Sequence, residues 1–537
     1  MQRRSRTPAN QQPEKKNQSL PLSARAMGMY ILGARGSGKS RLSGRVIAWQ
    51  DYRAEIPLVI IDPLGGTIDN FLDKLIRFLQ YVHPAKHSKY WSRIRYVDMS
   101  GRDGDITPFP LYYKLGNERS LREVAERYLQ VILKSNPSLL NAQVQGWPPL
   151  HHIGVQTGMI LAALGCQITE AADLLRNPEQ WQSRFTQAEQ RYPEVAPAVA
   201  FFRDEFIPMR EQDRRRLSNP FLDKIFPFTL DPHLKAMFGS NTPGINWQEV
   251  EREKQTVLLD FRYEQDPEMR RFKLLWVFSS LYEHIKFRGR SPRPLAVLID
   301  EISALTQKIM SGENPLAHEL DEFINQYMRG HNIWLSCVHQ ELHQIDEQLR
   351  NTLLSLGTYI IGGTSSMDSA RLLADALFLR DPFRVKHRRN VWMSGGSLYG
   401  RPLAPYVVDT EPEFMPLEEQ KELFAQRVKK LGLFQFLLRP ALSEGSIGSE
   451  VLPLSIRNVD CDPLTGRAVF PDAEVVARLR SLLAAKSGIP LATLLTEQEA
   501  RLHSGAIQER LNGAQPPGIA LAPGKAPQPI QRRQQIT

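Results

Sequence analysis

The chain has 537 residues, of which 42% are apolar and 23% are charged; this is ordinary for a globular protein and long enough for several domains. Cys166, Cys337 and Cys461 lie far apart, which excludes a disulfide framework or a cysteine metal cluster and fits a reducing cytoplasm. The sequence predicts neither a signal peptide nor a membrane-spanning helix, since no apolar run has the required length.

The net charge of +10 is concentrated at the two ends. Residues 1–28 hold six basic residues and one acid, and residues 504–537 hold four basic residues and one acid. The region between them is close to neutral, so the overall charge does not by itself predict a nucleic-acid-binding body. Basic ends of this kind either contact DNA, anionic lipid or an acidic partner, or are solvated disordered tails.

The first predicted element is a buried strand at Met29–Leu32, which leads into Gly33-Ala34-Arg35-Gly36-Ser37-Gly38-Lys39-Ser40. This is the pattern of a phosphate-binding loop, in which glycines let successive N–H groups point at a phosphate chain. A helix predicted over 41–49 directs its positive N-terminal end at the same anion. We predict that the loop and Arg41 bind ATP, with Lys39 on the β- and γ-phosphates and Ser40 on Mg²⁺.

The elements that follow are typical of a parallel sheet with helices on both faces. Buried strands are predicted at 56–61, 94–97, 256–261, 295–299, 333–338 and 358–361, and flanking helices at 68–82 and 269–287. Residues 121–238 show helical periodicity with little strand pattern, which predicts an all-helical insertion. The later sequence predicts a basic loop at 380–401, a helix at 413–430, a strand pair at 434–439 and 451–459, and helices at 472–485 and 490–503.

Asp300 and Glu301 directly follow the predicted strand at 295–299. Acids at the carboxyl end of a buried parallel strand lie where open α/β sheets bind their ligands. We therefore predict that Asp300 holds Mg²⁺, mostly through water, and that Glu301 polarises the attacking water. The alternative is a strand that simply ends in solvated acids.

Two further polar residues, Gln340 and Arg329, have two interpretations each. Gln340 follows the strand at 333–338, where it either contacts the γ-phosphate or is an ordinary loop residue. Arg329 is either an arginine finger offered to a neighbouring subunit or a cap on the carbonyls of the preceding helix. Asp62 ends the second strand, as Asp300 ends a later one, but a single acid is a weak signal.

The predicted loop at 380–401 mixes cations with aromatic residues. Arg384 to Arg389 hold most of the cations, and Trp392, Tyr399 and Arg401 follow. This composition suits phosphate contact and base stacking in a DNA-facing loop. A solvated charged loop has the same composition.

The ordered set of motifs resembles the FtsK/HerA superfamily of P-loop ATPases and, within it, the coupling proteins of conjugation and type IV secretion. The resemblance covers about residues 27–410. It rests on the phosphate loop, the helical insertion and the segments Ile60–Gly65, Thr107–Leu111, Ala296–Glu301, Met328–Ile333 and Ser336–Gln340. The chain departs from the family in two ways: Leu64 stands where Lys is common, and the usual transmembrane helices are not predicted.

The resemblance implies a RecA-like α/β fold with a mainly parallel sheet, an all-α insertion and a small C-terminal region. It implies an ATP- and Mg²⁺-dependent hydrolase that moves DNA through a homo-oligomeric ring, usually a hexamer. Gln340 would match the family's sensor glutamine, and Arg329 an arginine that can serve the neighbour's nucleotide. Relaxase or secretion-channel proteins are the implied partners, and the implied location is the cytoplasm, with membrane attachment only through partners or the basic N-terminal arm.

We therefore predict six regions: a basic disordered tail (1–26), two parts of the ATPase core (27–120 and 239–410), the all-α insertion (121–238), a C-terminal helical and hairpin region (411–505) and a disordered tail (506–537). Two alternative functions remain open. One is a HerA-like translocase of DNA repair or processing, which would have a nuclease partner. The other is a nucleotide-gated docking protein with little motor activity.

Overall fold

A nine-stranded sheet forms the centre of the fold. The computed structural model describes residues 25–102, 104–113, 120–135, 147–303, 320–345, 347–393, 397–398, 401–402, 405–441, 451–462 and 464–504. The strands are β1 Met29–Leu32, β2 Leu58–Asp62, β3 Ile94–Asp98, β4 Asp105–Ile106, β5 Thr256–Asp260, β6 Leu295–Ile299, β7 Ile333–His339, β8 Thr358–Ile361, β9 Val385–Met393, β10 Ser397–Leu398, β11 Arg401–Pro402, β12 Tyr406–Phe414, β13 Gln435–Arg439, β14 Leu452–Ser455 and β15 Ile489–Pro490.

The main sheet has the strand order β14-β13-β8-β1-β7-β6-β2-β5-β3. Its seven strands from β8 to β3 are parallel to one another, and β13 and β14 add an antiparallel edge. Strands such as β2, with the sequence Leu-Val-Ile-Ile-Asp, are buried along their whole length, as expected where helices cover both faces of a sheet. The predicted α/β fold class with a mainly parallel sheet is confirmed.

The helices cover both faces of this sheet. A helix that we call α1 starts at Lys39–Leu42 and continues through a π-helical Ser43–Ala48 into Trp49–Arg53. The others are α2 Gly66–Leu79, α3 His87–Trp91, α4 Leu121–Ser135, α5 Trp147–Leu164, α6 Ile168–Arg176, α7 Gln182–Arg191, α8 Ala196–Ala200, α9 Glu211–Leu230, α10 Pro232–Gly239, α11 Trp247–Arg252, α12 Pro267–Arg288, α13 Phe323–Tyr327 (π-helical), α14 Glu347–Leu353, α15 Met367–Leu377, α16 Leu417–Lys429, α17 Ala473–Ser487 and α18 Leu491–Ser504.

The segment between β4 and β5 is helical through α4 to α11 in its described part, as its periodicity predicts. It packs on the sheet through α12. Phe272 of α12 contacts the rings of Tyr128, Phe228 and Phe238 edge-on, at centroid distances of 6.4, 5.1 and 5.5 Å. These side chains belong to the same apolar cluster as Tyr30 of β1. The helices are thus continuous with the core on one face of the sheet.

The C-terminal helices contact two different parts of the molecule. Helix α17 lies against β3 and α2, and α18 lies against α10. Arg501 of α18 donates to Glu170 at 3.0 Å, and Gln498 donates to the carbonyl of Lys235 at 2.8 Å. The end of the described chain is thus fastened to the helical segment between β4 and β5.

The prediction of a loop over 380–401 is wrong, because Val385–Met393 within it form strand β9. Strand β9 pairs antiparallel with β12, and this two-stranded ribbon is exposed along its described length. Both faces of the ribbon are exposed to water, so the sequence of β9 lacks the alternation of apolar and polar residues that marks a half-buried strand. Its partner strand β12 does not follow it through a short turn, so the sequence has no hairpin signal either. Tyr399 and the side chain of Arg401 lie outside the described part of the chain.

In the described part of the chain, no single helix is both long enough and apolar enough to cross a bilayer. Among the described helices, only Pro149–Leu164 and Ile168–Arg176, taken together across a bend of 114°, have the length and composition of a membrane span.

One buried ion pair ties the start of the described chain to α1. The Arg25 guanidinium binds the Asp51 carboxylate through two hydrogen bonds of 2.7 and 2.6 Å, and the two side chains are 1% and 0% exposed. Arg25 also donates to Ser336 of β7 at 3.4 Å. The ion pair therefore joins α1 to the sheet at a position that is buried from solvent.

We expect Asp51→Ala to lower the free energy of unfolding by about 3–5 kcal/mol, because it leaves a buried guanidinium unpaired. Urea denaturation would measure the loss. Glu126→Ala, which breaks the exposed Arg122–Glu126 pair on α4, should change the stability by less than about 1 kcal/mol. Equal effects of the two substitutions would contradict the assignment of Arg25–Asp51 as a structural pair.

Candidate nucleotide site

The loop between β1 and α1 has the form that phosphate binding requires. Gly36 and Gly38 adopt positive φ angles of 83° and 100°, which turn the backbone around the loop. Gly33 and Ala34 donate their N–H groups to the carbonyls of His339 and Gly363. Within the described residues, the N–H groups of Gly36, Gly38, Lys39 and Ser40 have no protein acceptor. The loop thus offers free donors at the positive end of a helix, and an anionic phosphate chain fits them.

The Lys39 side chain folds back onto its own loop. Its ammonium donates to the carbonyl of Gly33 and, at 3.1 Å, to that of Ala34. Burial lowers the pKa of Lys39, and the carboxylates of Glu301, Asp300 and Glu341 oppose that shift. The ammonium therefore lies near three carboxylates and, among the described residues, is hydrogen-bonded only to two neutral carbonyl oxygens. Phosphate oxygens, which carry charge, can replace those carbonyl oxygens as acceptors.

Ser40 and Asp300 lie on either side of the start of α2. A Cβ atom on Gly66 would stand 3.2 Å from the Ser40 hydroxyl, and the next residue, Thr67, donates its hydroxyl to Asp300 at 2.7 Å. Burial raises the pKa of Asp300, Glu301 adds to the increase, and the Thr67 hydrogen bond and Lys39 oppose it. A hydroxyl and a buried carboxylate next to free loop donors suit Mg²⁺ bound together with phosphate oxygens.

Glu301 is held by two side-chain donors. Gln340 donates its amide to Glu301 at 2.6 Å, and Ser303 donates its hydroxyl to the other carboxylate oxygen. The Glu301 backbone adopts a φ of 50°, an unusual conformation for a residue with a side chain and one that is enriched at functional sites. A carboxylate fixed in this way has the form of a general base.

The strand order explains why Gln340 contacts Glu301. Strand β7 lies between β1 and β6, with Leu32 opposite His339 and Ile299 opposite Cys337. Three adjacent parallel strands therefore end in the phosphate loop, in Gln340 and in the Asp300–Glu301 pair. The structure brings these predicted residues together at one edge of the sheet.

Asp62 has a structural part at this edge. Its buried carboxylate accepts four backbone N–H groups, from Leu64, Gly65, Thr67 and Ile68, at 2.6 to 3.0 Å. Burial raises the pKa of Asp62, the charge of Asp300 adds to the increase, and the N–H donors oppose it. Asp62 thus fixes the turn into α2, which holds Gly66 near Ser40 and Thr67 on Asp300.

Three residues at the site were missed by sequence reasoning. Thr67 contacts Asp300, Ser303 contacts Glu301, and Glu341 lies near Lys39 while accepting a hydrogen bond from the Ser365 N–H at 3.0 Å. The position of Glu341 directly after Gln340 was the one sequence feature that could have predicted its place at the site. The two hydroxyls have no sequence signature because their roles depend on the fold.

Arg41 was predicted to bind the nucleotide, but its side chain points away from the loop, to the C-terminal region. Its guanidinium donates to the carbonyls of Val459, Asp460 and Val469 in the C-terminal region. It also lies over the rings of Phe434 and Phe470, at 5.3 and 5.9 Å from their centroids. Of the loop side chains, Arg35 is exposed and Lys39 is buried at the site.

Arg329 lies at the opposite edge of the sheet from the loop. Its carbonyl accepts from Asn332, the residue before β7 begins, and its side chain is exposed. Strand β7 has seven residues, about 20 Å of extended chain at ~3.3 Å per residue. The structure therefore does not bring Arg329 to the nucleotide site of its own chain, and service to a neighbouring subunit stays a prediction.

The two faces of the exposed ribbon differ in charge. On one face, Arg389 lies opposite Glu411, and His387 contacts Glu413 at 2.8 Å. On the other, Arg388 and Asn390 lie opposite Pro412 and Thr410, and Trp392, 60% exposed, lies opposite Val407. Because side chains alternate between faces, Arg388 and Trp392 on the second face have no cross-strand acid within the described residues. Lys386, two residues before Arg388, pairs with Glu419 of α16 at 2.7 Å.

No protein-family profile and no curated protein sequence matches the chain. Solved structures to which it is similar include the plasmid coupling protein TrwB with the GTP analogue GDPNP, at 12% identity and a TM-score of 0.45, covering 84% of this chain and 90% of that one. Bacterial conjugative coupling protein TrwB in an unbound form shares 13% identity, with a TM-score of 0.44 and coverage of 81% and 85%. VirB4 of Thermoanaerobacter pseudethanolicus shares 12% identity, with a TM-score of 0.44 and coverage of 82% and 90%. TrwB is described as a conjugative coupling protein, the class that the sequence motifs resemble.

A buried histidine lies directly beneath the loop. His339 is 0% exposed, and neither ring nitrogen has a hydrogen-bond partner among the described residues. Burial, with smaller contributions from Lys39 and His343, lowers the pKa of His339 to about 3. The unfolded chain takes up this proton near pH 6.5, so between pH 6.5 and 3 the unfolded state binds more protons and stability falls as the pH falls.

We expect His339→Met to reduce the slope of unfolding free energy against pH in this window, by up to about 1.4 kcal/mol per pH unit. Urea denaturation at several pH values between 4 and 7 would measure it. The exposed His83 provides the control, and His83→Gln should leave the slope unchanged. A slope that His339→Met does not alter would show that this histidine is protonated in the folded protein.

Proposed function

We propose that this chain is a P-loop ATPase that hydrolyses ATP with Mg²⁺ and uses the energy to move DNA in conjugative transfer or type IV secretion. The observation that carries the proposal is the Glu301–Gln340 hydrogen bond of 2.6 Å, at a sheet edge shared with the phosphate loop and Asp300. A loop that only bound nucleotide would not need a fixed carboxylate beside its γ-phosphate end.

Each residue has a defined part in this reaction. The free N–H groups of Gly36, Gly38, Lys39 and Ser40 hold the phosphates, and the Lys39 ammonium leaves its carbonyl acceptors to contact the β- and γ-phosphates. Glu301 accepts the proton of the attacking water, and Gln340 orients that carboxylate and senses the γ-phosphate. Ser40 and Asp300 would hold Mg²⁺, which supplies charge neutralisation on the phosphate oxygens.

The ring is supported by the position of Arg329. Because this exposed arginine lies at the far edge of its own sheet, a role in catalysis requires a neighbouring copy. A homo-oligomeric ring, which we propose to be a hexamer, would place Arg329 at the neighbour's ATP, where an arginine stabilises transition-state charge. The domain boundaries given above, a cytoplasmic location and relaxase or secretion-channel partners belong to the same proposal.

The face of the ribbon with Arg388, Asn390 and Trp392 supports DNA contact. It projects a cation and an exposed aromatic ring with no acid across from them. Such a surface attracts the phosphate backbone and offers a platform for stacking. This face therefore replaces the predicted DNA-facing loop as the proposed contact.

For ATP hydrolysis, we expect Glu301→Gln to lower turnover by roughly 10²- to 10⁴-fold while ATP still binds, because it removes a general base and keeps the shape. Lys39→Ala should weaken both binding and turnover. Phosphate release and equilibrium binding would measure the two effects, with Glu126→Gln on the exposed face of α4 as the control. Substantial ATP turnover in both site variants would contradict the catalytic roles proposed for Glu301 and Lys39.

Arg388 and Arg389 are adjacent arginines on opposite faces of the ribbon, so their substitutions form a matched pair of test and control. We expect Arg388→Glu to weaken DNA binding several-fold and to flatten its salt dependence, because it removes a cation that has no acid across from it. Arg389→Glu, on the face with Glu411, should have a smaller effect. Fluorescence anisotropy at several salt concentrations would measure both. Equal effects, or none, would count against this face as the DNA contact.

A further inference from the structure

The C-terminal region carries an aromatic surface beside the phosphate loop. Phe434 packs its ring on Gly38, where an added Cβ would stand 2.5 Å from the ring, and its N–H donates to the Ser37 carbonyl at 3.0 Å. The ring of Phe470 lies 6.5 Å from that of Phe434 and is 64% exposed. A large exposed aromatic side chain thus lies beside Phe434, the residue that packs on Gly38 of the loop.

Phe470 is carried by a segment that is firmly held to α1. Arg41 donates to the carbonyls of Val459, Asp460 and Val469 at both ends of this segment. The Asp460 carboxylate contacts Arg45 at 3.0 Å and also pairs with Lys74. Within the segment, Val469 donates its N–H to Asp460 at 2.9 Å. The exposed ring therefore has a fixed position relative to the loop.

The strand order gives the direction in which a nucleotide would lie. Glu301 and Gln340, which mark the γ-phosphate end, follow β6 and β7 on one side of β1. Strands β8 and β13 lie on the other side of β1, and Phe434 directly precedes β13. A nucleotide whose γ-phosphate faces Glu301 extends its α-phosphate and nucleoside toward the second side, where Phe434 and Phe470 lie.

We propose that Phe470, supported by Arg41 and Phe434, is the surface on which the purine base of the nucleotide stacks. One face of the ring lies toward the Arg41 guanidinium at 5.9 Å, which leaves the exposed part of the ring to a flat apolar ligand. The inference rests on the proposed function, because it assumes that the loop binds a nucleotide. It adds the part of the site that recognises the base.

Binding of ADP and of pyrophosphate tests the inference, since only ADP has a base. We expect Phe470→Ala to raise the Kd for ADP by about tenfold, in the range of base–aromatic stacking, and to leave the Kd for pyrophosphate within about twofold. Phe470→Trp should keep ADP binding near that of the unmodified chain. The preference for ADP over CDP should also shrink in Phe470→Ala, because the smaller pyrimidine gains less from stacking.

The control is Leu464→Ala, which alters a residue that is 93% exposed on the same segment and should change neither affinity. If Phe470→Ala weakens ADP and pyrophosphate equally, the ring only supports the loop and the inference is overturned. An unchanged Kd for ADP overturns it too. Failure of the proposed function is distinguishable, because the unmodified chain would then bind neither ligand.

Discussion

The candidate site depends on the parallel pairing of β1, β7 and β6. The pairs Leu32–His339 and Cys337–Ile299 fix the register of these strands, so their carboxyl ends coincide. A shift of one residue along β7 would turn the side chains of that strand to opposite faces and separate Gln340 from Glu301. The geometry of the candidate site is therefore a property of the sheet more than of any single loop.

A second set of contacts joins the C-terminal region to the first helix after the loop. Arg41 and Arg45 lie one helical turn apart, and both are buried against the segment that holds Asp460. Burial lowers the pKa of each guanidinium, and Asp460 opposes the shift in both. Because isolated buried cations are costly, loss of the C-terminal segment would disturb the helix that begins at Lys39.

Much of this arrangement could be predicted from the sequence, because its signals are local. The loop Gly33–Ser40 and the acid pair Asp300–Glu301 each follow an apolar run, and both lie where parallel strands end. The positions of Thr67 and Phe470 could not be predicted, since each contacts a residue distant in sequence. Ser303 lies only two residues from Glu301, but a serine at that spacing has no sequence signature. The ribbon was missed because neither of its faces is buried, so β9 shows no alternation of polar and apolar residues.

The most direct test of the account is an experimental structure of the chain with Mg²⁺ and a non-hydrolysable ATP analogue. We expect the Lys39 ammonium to leave the Gly33 carbonyl for the β- and γ-phosphates, Mg²⁺ to lie between Ser40 and Asp300, and Glu301 to face the γ-phosphate. A nucleotide bound elsewhere, or bound at the loop with its γ-phosphate directed away from Glu301, would contradict it.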